Sequence, residues 1–566
     1  MTLDLPDLVP QELRRRWKAD GIYPGRSLFD LFSAQTREHP ERPAVVEPDA
    51  TVSYARLRHA ALALAGELLD RGVRPGDVVA VNLANGWRPL AADLAVAAIG
   101  AVCLPYPLGR RRQDTLALLR RSRAVAALIT RTVGDQDYAR TVDGLRGLLP
   151  ELRHIYVDGP PLPGTQALEP VWHRPPRRPD RPVPPDPDAA ARIVVSSGTE
   201  AAPKLVAYSH NALAAGRGRL LRNLSGDDEP FRLLCMVPLA TAFGSLGLAT
   251  LCVRGGTVLV TPRFDPSSAL RMVAEHRPSH VTGVPTMYQR ILTDPALPRT
   301  DVSSLRCTVS GGAPLPPATA ARMRRALCPT VATVYGSADG ANSHTRPDDP
   351  VAVVDTTAGR PDPAITSLRI VDEQGEELPT GRTGEIWARG PVTPLCYVND
   401  PELNRRYRAP GGWVRTGDLG AMRPDGRLRL TGRTKDVVIR AGLNISPAEV
   451  ELLVCSHPAV AGAACRGVLD DELGERLAVF VVPVPSERPP TLPELRHFLL
   501  EERGLERFKL PEALHLLDRF PTGPAGKIDR ARLDALARAS NESAEPPVCT
   551  PSSRPSTPPP TAPRPG

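Results

Sequence analysis

Aromatic residues are scarce in this 566-residue chain, at 4%, and several other scarcities bound its chemistry. No run of about 18 apolar residues occurs, so no helix is expected to cross a membrane. The opening MTLDLPDLVPQELRRRW lacks the uninterrupted apolar core of a secretory leader, and the expectation is a cytoplasmic protein that nothing exports or anchors. The nine cysteines are scattered singly, without a CxxC pair or metal-like spacing to histidine, which points to reduced, buried thiols. Neither charge sign dominates: 71 basic residues face 63 acidic ones, the net charge is +8 and no like-charged run is dominant. That balance describes a solvated surface and argues against nucleic-acid binding. A GxGxxG following a strand and a GxxxxGK[ST] loop are both missing, which leaves a dehydrogenase or a P-loop kinase without support.

What the chain has in quantity is proline, 64 residues, and enough apolar content, 41%, to bury large cores. Its length exceeds one compact core and implies two or three domains. After two amphipathic helices, Gln11 to Asp20 and around Leu28 to Ser33, residues 43–157 alternate short apolar strands with helices of 10 to 18 residues. This is the pattern of a layered α/β domain with a largely parallel sheet. Residues 160–187, rich in proline and arginine with no apolar period, read as an extended surface connection. Residues 455–534 alternate again and predict a small α+β domain of about 100 residues. From about Ser540 the chain is rich in proline, serine and threonine and reads as disordered.

The stretch that organises the rest is SSGTEAAPK, Ser196 to Lys204, which follows the apolar strand Ile193-Val194-Val195. Ser196, Ser197 and Thr199 can donate hydroxyl hydrogens, Gly198 lets backbone N–H groups approach an anion, and Lys204 adds a cation without fixed geometry. The combination is a candidate phosphate cradle.

Further motifs follow in order: PLATAFG at 238–244, SGGAP at 310–314, VYGSADG at 334–340, WVRTGDL at 413–419, GRTKDVVIRAGLNISPAEVE at 432–451 and PTGPAGKIDR at 521–530. Together with the cradle they resemble the signature motifs of the adenylate-forming superfamily, which comprises acyl-CoA synthetases, peptide-synthetase adenylation domains and luciferases. The opening LVPQELRRRWKADGIYPGRSLFDLF and the TRPDDP at 345–350 are similar to its stand-alone aryl-acid AMP ligases.

The resemblance implies an α/β fold with a large N-terminal domain of layered sheets and flanking helices, residues 1–433, and a small mobile α+β lid, residues 434–540, pivoting at Lys435. Residues 541–566 would be a disordered tail. It implies ATP and Mg²⁺ as cofactors. ATP would contact Ser196, Ser197, Gly198, Thr199, Gly312, Ala313, Pro314, Val334, Tyr335, Gly336, Ser337, Asp418 and Arg433, with Tyr335 stacked on adenine and Asp418 on the ribose. Lys527, Lys204 and Thr199 would be catalytic, and Asp339 would serve the metal. The acyl pocket would be lined by Thr241, Ala242, Phe243, Gly247, Ser310, Gly311 and Val334.

The implied reaction activates a carboxylic acid, aromatic or heteroaromatic, as its adenylate and passes it to the thiol of a carrier protein supplied in trans. Two alternatives stay open: a ligase using free CoA, for which Arg110 to Arg112 offer basic groups, and a degenerate nucleotide-binding homologue. The second is motivated by departures from the family pattern, Thr241 for histidine, Ala338 for threonine and Asp339 for glutamate. Ala242, where the aryl-acid subgroup commonly has asparagine, cannot bond an ortho hydroxyl and argues against salicylate-type acids. A monomer and a homodimer are both compatible with the sequence.

Overall fold

The computed structural model describes residues 3, 5–175, 185–196, 203–226, 231–434, 436–440, 443–470, 473–485, 487–524 and 526–542. Among them, two eight-stranded sheets form the large N-terminal part. The first runs in the spatial order Asn342–His344, Val331–Gly336, Cys307–Gly311, His280–Gly283, Arg232–Cys235, Thr257–Leu259, Pro43–Glu47, Ala50–Ser53, parallel except at its two edges. The second runs Cys396–Tyr397, Leu205–Ser209, Ala190–Val195, Val102–Pro105, Val78–Asn82, Ala126–Thr130, His154–Asp158, Gln166–Ala167. Helices packed between the sheets are apolar nearly all round. Trp87–Ala98 buries every residue from Pro89 to Ala97, as a helix covered on several sides must. One continuous core joins side chains of both sheets to these helices.

For the site, β1 is Ala190–Val195, β2 is Leu205–Ser209, α1 is His210–Ser225, β3 is Cys307–Gly311, β4 is Val331–Gly336, β5 is Trp413–Met422 and β6 is Leu428–Arg433. β1 and β2 pair antiparallel, Val195 opposite Leu205, so residues 196–204 form the loop of a hairpin. The hydroxyl of Ser209 caps α1 by accepting from the Ala212 N–H, and the helix stops at Gly226, φ +69°. β5 and β6 belong to a five-stranded antiparallel sheet. The chain then changes sheets: Val438–Arg440 pairs within the C-terminal sheet, whose long strands Val460–Asp470 and Gly474–Pro483 cover a separate core around Val450, Leu477 and Leu499. This is the smaller C-terminal domain.

Two local expectations are corrected. Residues 160–187 are not simply an extended connection. Gln166–Ala167 adds a strand to the second sheet, and the 3₁₀ turn Glu169–His173 buries Val171 and Trp172, the latter edge-on to Trp87 at 5.3 Å. The anchoring residues are too few and too near prolines to produce a period. At the other end, helix Arg530–Glu542 runs past Ser540, because Leu533 and Ala537, one helical turn apart, bury against Phe480. No helix among the described residues is long and apolar enough to span a membrane, and the eight described cysteines are free and buried.

Candidate active site

A cavity of about 220 Å³ opens where the C-terminal ends of β1 and β4 meet the 523–527 turn of the small domain. The candidate cradle lies on one side. Its base is cross-bonded: the Ser196 N–H donates to the Lys204 carbonyl at 3.0 Å, and the Lys204 N–H donates to Ser196 Oγ at 3.3 Å. Ser197, Gly198 and Thr199 lie outside the described residues, as does the hinge residue Lys435. Lys204 is held by surroundings that keep its ammonium in the cavity wall: its Nζ sits 3.4 Å from the centroid of the Tyr407 ring and 3.9 Å from Asp339 Oδ1. Asp339 also accepts from the Tyr397 hydroxyl at 2.5 Å. Burial pushes the Asp339 carboxyl above the usual carboxylate range, with the Lys204 charge pulling the other way. Arg110, from the loop after Val102–Pro105, lines the same cavity.

Across the cavity stands a carboxylate already organised by its neighbours. β5 and β6 place Asp418 directly opposite Arg433 in an antiparallel register. Arg433 Nε lies 2.7 Å from Asp418 Oδ1, the Tyr335 hydroxyl donates to Oδ2 at 2.7 Å, and the Asp418 N–H donates to Thr416 Oγ1 at 3.0 Å. Gly336, Ser337, Thr416, Gly417 and Arg433 line the cavity beside it. The Tyr335 ring packs toward Ala358 and Ile370.

Lys527 enters from the small domain. The turn that carries it is closed by the Gly523 N–H to the Lys527 carbonyl at 2.8 Å, with Gly526 at φ +77°, a conformation side chains disfavour. Thr286 of the large part donates to the Gly526 carbonyl at 3.1 Å and docks the turn. A Cβ on Gly312, φ +81°, would stand 3.0 Å from Lys527 Cε, so the lysine reaches the cavity across a glycine. Burial lowers the Lys527 pKa, the Arg433 cation lowers it further, and Asp418 opposes both.

The remaining wall is apolar, with Ala242, Phe243, Leu246, Val284, Val334, Ile365 and Val392. Thr241 lines it too, but its hydroxyl donates to the Pro238 carbonyl at 2.8 Å and accepts from the Gly244 N–H at 2.9 Å, stapling its own turn. Phe243 lies over Gly311, where a Cβ would stand 3.1 Å from the ring. Two readings are corrected. A Cβ at Gly247 would point at Leu239 and Val258 in the core, and the residue is absent from the cavity wall. Ser310 sits on the opposite face of β3 from Gly311, as alternation requires, and is buried with its Oγ unbonded. Ala313 and Pro314 follow the cavity-lining Gly312 and are exposed.

The residues that sequence reasoning missed are those of α1: Gly216, Arg217 and Leu220 all line the cavity. A signal existed in the helical Gly216 and Gly218, each costing about 1 kcal/mol against alanine. Such glycines mark close packing, and a Cβ on Gly216 would stand 2.7 Å from Val392.

The chain belongs to the AMP-binding enzyme family: the family model matches residues 32–398, and the model for the AMP-binding enzyme C-terminal domain matches residues 449–527. It is therefore an adenylate-forming ligase, an enzyme class that uses ATP. Salicyl-AMP ligase / salicyl-S-ArCP synthetase of Mycobacterium tuberculosis is 34% identical over 538 residues, 92% of each chain. The 2-hydroxy-7-methoxy-5-methyl-1-naphthoate–CoA ligase of Streptomyces carzinostaticus is 32% identical over 94% of this chain and 97% of its own. Among solved structures, the amide bond synthetase McbA from Marinactinospora thermotolerans superposes with a TM-score of 0.79 at 30% identity, over 90% of this chain and 99% of that one. The first two of these are named for aryl acids, one as a salicyl-AMP ligase and salicyl-S-ArCP synthetase and one as a CoA ligase.

Proposed function

We propose that this enzyme activates an aromatic carboxylic acid as its acyl-adenylate and transfers the acyl group to the thiol of a carrier protein supplied in trans, in a cytoplasmic biosynthetic pathway. The observation that carries the reading is the convergence of Lys527 and Arg433 from two domains on one cavity with an apolar wall, with Asp418 paired to Arg433 behind it.

A carboxylate oxygen of the acid attacks the α-phosphorus of ATP, the bond from that phosphorus to the bridging oxygen breaks, and pyrophosphate leaves. Such a step needs positioning and charge neutralisation more than a general base. Lys527 supplies positive charge where it develops on the α-phosphoryl oxygens. Lys204 and the loop it closes hold the departing pyrophosphate. Asp418, oriented by Tyr335 and Arg433, accepts hydrogen bonds from the ribose hydroxyls. Rotation of the small domain about Lys435 then withdraws Lys527 and admits the thiol, whose sulfur attacks the acyl carbon and displaces AMP.

The donor set fits a magnesium ion. Asp339 is a single buried carboxylate facing the cavity, no cluster of three acidic, histidine or cysteine side chains occurs among the described residues, and Mg²⁺ ordinarily combines one carboxylate with waters and substrate phosphates. When bound it would neutralise phosphate charge.

The direct test is pyrophosphate release with ATP and Mg²⁺ across benzoic, hydroxybenzoic, aminobenzoic, picolinic, aliphatic and amino acids, with hydroxylamine trapping the adenylate. One preferred aromatic acid is expected; failure of every acid to turn over while ATP still binds would overturn the reading in favour of a nucleotide-binding homologue. Comparing CoA with a carrier protein then decides the acceptor. The CoA reading is favoured by the naphthoate–CoA ligase relative. Its basic patch is reduced in this structure, because Arg110 points into the cavity and leaves only Arg111 and Arg112 exposed.

A further inference from the structure

Three arginines, Arg192 on β1 and Arg217 and Arg219 in the middle of α1, differ in their partners, and two of them are paired with carboxylates. Arg192 on β1, nearly inaccessible, pairs with Asp93 at 3.0 Å and donates to the Leu239 carbonyl at 2.8 Å. Arg219 on α1 pairs with Asp362 at 3.0 Å. Arg217, two residues earlier on the helix, has no carboxylate within ion-pair distance among the described residues, and it is the one of the three that lines the cavity.

The contacts Arg217 does make fix its direction. Its Nε donates to the Ser245 hydroxyl, which in turn donates to the Ala242 carbonyl at 2.5 Å, so the guanidinium is tied to the segment that forms the acyl wall. Its guanidinium carbon lies 5.1 Å from the centroid of the Tyr208 ring, and Tyr208 is itself fixed by donating to the Ala338 carbonyl at 2.7 Å. The head group is thereby stacked against Tyr208, whose hydroxyl also lies within hydrogen-bonding reach, and tethered at Nε, and no carboxylate pairs with it among the described residues. Its flanking cavity residues, Gly216, Leu220, Ala242 and Leu246, offer no side-chain acceptor. Burial lowers the Arg217 pKa, Tyr208 opposes the shift, and the neighbouring Arg192 charge adds to it.

A guanidinium that lines the cavity without a carboxylate partner still has N–H donors to offer a ligand, and its planar fork matches a carboxylate in two parallel hydrogen bonds. An unsubstituted aromatic acid filling this cavity would exclude water from Arg217 and return nothing. We propose that Arg217 is a specificity-determining residue, and that the acid this enzyme activates carries a second oxygen-acceptor group, best matched by a carboxylate, which Arg217 receives in the acyl pocket. The proposal rests on the adenylation reading above for the identity of the pocket. It supplies the polar determinant that the 238–244 segment, with Thr241 self-bonded and Ala242 apolar, does not.

The test separates binding from turnover. Equilibrium binding of benzoate, benzene-1,3-dicarboxylate and benzene-1,4-dicarboxylate is measured by calorimetry on the full chain with a non-hydrolysable ATP analogue and Mg²⁺, alongside pyrophosphate release with ATP. For the unaltered enzyme at least one dicarboxylate should bind 10-fold or more tightly than benzoate. Arg217→Met should bring that ratio to about one or below, while Arg217→Lys, which keeps the charge without the fork, retains part of it. Thermal unfolding of both variants shows whether they are folded, and the lysine variant carries the comparison if the methionine variant is not.

Equal or tighter binding of benzoate by the unaltered enzyme overturns the proposal. So does a loss on Arg217→Met that is the same for mono- and dicarboxylates, since that would place Arg217 on the reacting carboxylate or on phosphate. Dicarboxylate-selective binding without pyrophosphate release would support the Arg217 assignment while removing the adenylation reading, so the two can fail independently.

Discussion

Asp418 and Arg433 face each other across the β5–β6 ladder with Nε and Oδ1 2.7 Å apart, and the Tyr335 hydroxyl occupies the second carboxylate oxygen at 2.7 Å. The carboxylate is thus fixed in place by its neighbours, and on the proposed reading little reorganisation is required when it accepts from ribose hydroxyls. Asp418→Ala removes the aimed acceptor. With hydrogen bonds to charged groups contributing about 1.5–3 kcal/mol, ATP affinity should fall about 10- to 100-fold by calorimetry. Tyr335→Phe, which leaves the Arg433 pair intact, should cost about 10-fold or less. A smaller loss for Asp418→Ala than for Tyr335→Phe would contradict the assignment.

Lys527 contacts the site only because Gly312 lacks a side chain and the Thr286 hydroxyl holds the Gly526 carbonyl. Lys527→Ala should slow adenylate formation by about 10²- to 10³-fold, the scale of one lost preorganised electrostatic contact, with a smaller effect on transfer from a preformed adenylate. Gly312→Val should mimic it by blocking the approach. Because burial and Arg433 lower the Lys527 pKa, the cation is lost at a lower pH than an ordinary lysine would lose it. The adenylation rate should therefore decline on the alkaline side before the usual lysine range, measured as single-turnover rate against pH. Near-normal adenylation by Lys527→Ala would remove the lysine from the mechanism.

Asp339 is one methylene shorter than the glutamate its family pattern carries, and it is engaged by Lys204 and Tyr397. Asp339→Ala should raise the Mg²⁺ concentration for half-maximal pyrophosphate release by about 10- to 100-fold, in the range seen when groups supporting a metal site are lost. Tyr397→Phe, which frees one carboxylate oxygen without removing the charge, should shift the same titration far less. If Asp339→Ala and the unaltered enzyme share one Mg²⁺ curve, the metal is held elsewhere.

The sequence made legible the parts of the site whose chemistry demands a residue type at a strand end or tight turn. Asp418, Arg433, Lys204 and Lys527 were placed by motif, and each now borders the cavity or anchors a residue that does. The alternation of strands and helices likewise foretold the parallel sheets. What stayed hidden depends on tertiary packing. Arg217 lies on a helix with arginines also at 219 and 222, and only the position of α1 against residues 242–246 turns one of them inward. Gly247 was a pocket residue on the family resemblance, but the start of the helix Leu246–Ala249 turns it toward Leu239. Ser310 was assigned with Gly311 although period-two alternation separates them. Trp172 was lost among prolines because a 3₁₀ turn of five residues has no detectable period.

Three buried histidines set how the fold responds to acid. His210 caps the interface between α1 and the N-terminal segment by accepting from the Leu28 N–H at 3.2 Å, His280 lies against the Phe231 ring at 4.6 Å, and His344 lies 3.0 Å from the Asn223 amide and 3.1 Å from the Asn342 amide. Burial lowers each of their pKa values to about 4 from 6.5. The unfolded chain therefore binds more protons than the folded one between those limits, and stability must fall as pH drops through that window. Each histidine contributes up to about 1.4 kcal/mol per pH unit there, so the three together outweigh most single surface interactions. Denaturant midpoints should be flat from pH 8 to about 7 and decline steadily below 6.5, before ordinary carboxylates titrate. His344→Gln, which preserves an amide-scale partner for Asn223 while removing the titrating ring, should make the slope shallower. A stability profile that stays level down to pH 5 would mean that these rings are not held neutral by burial.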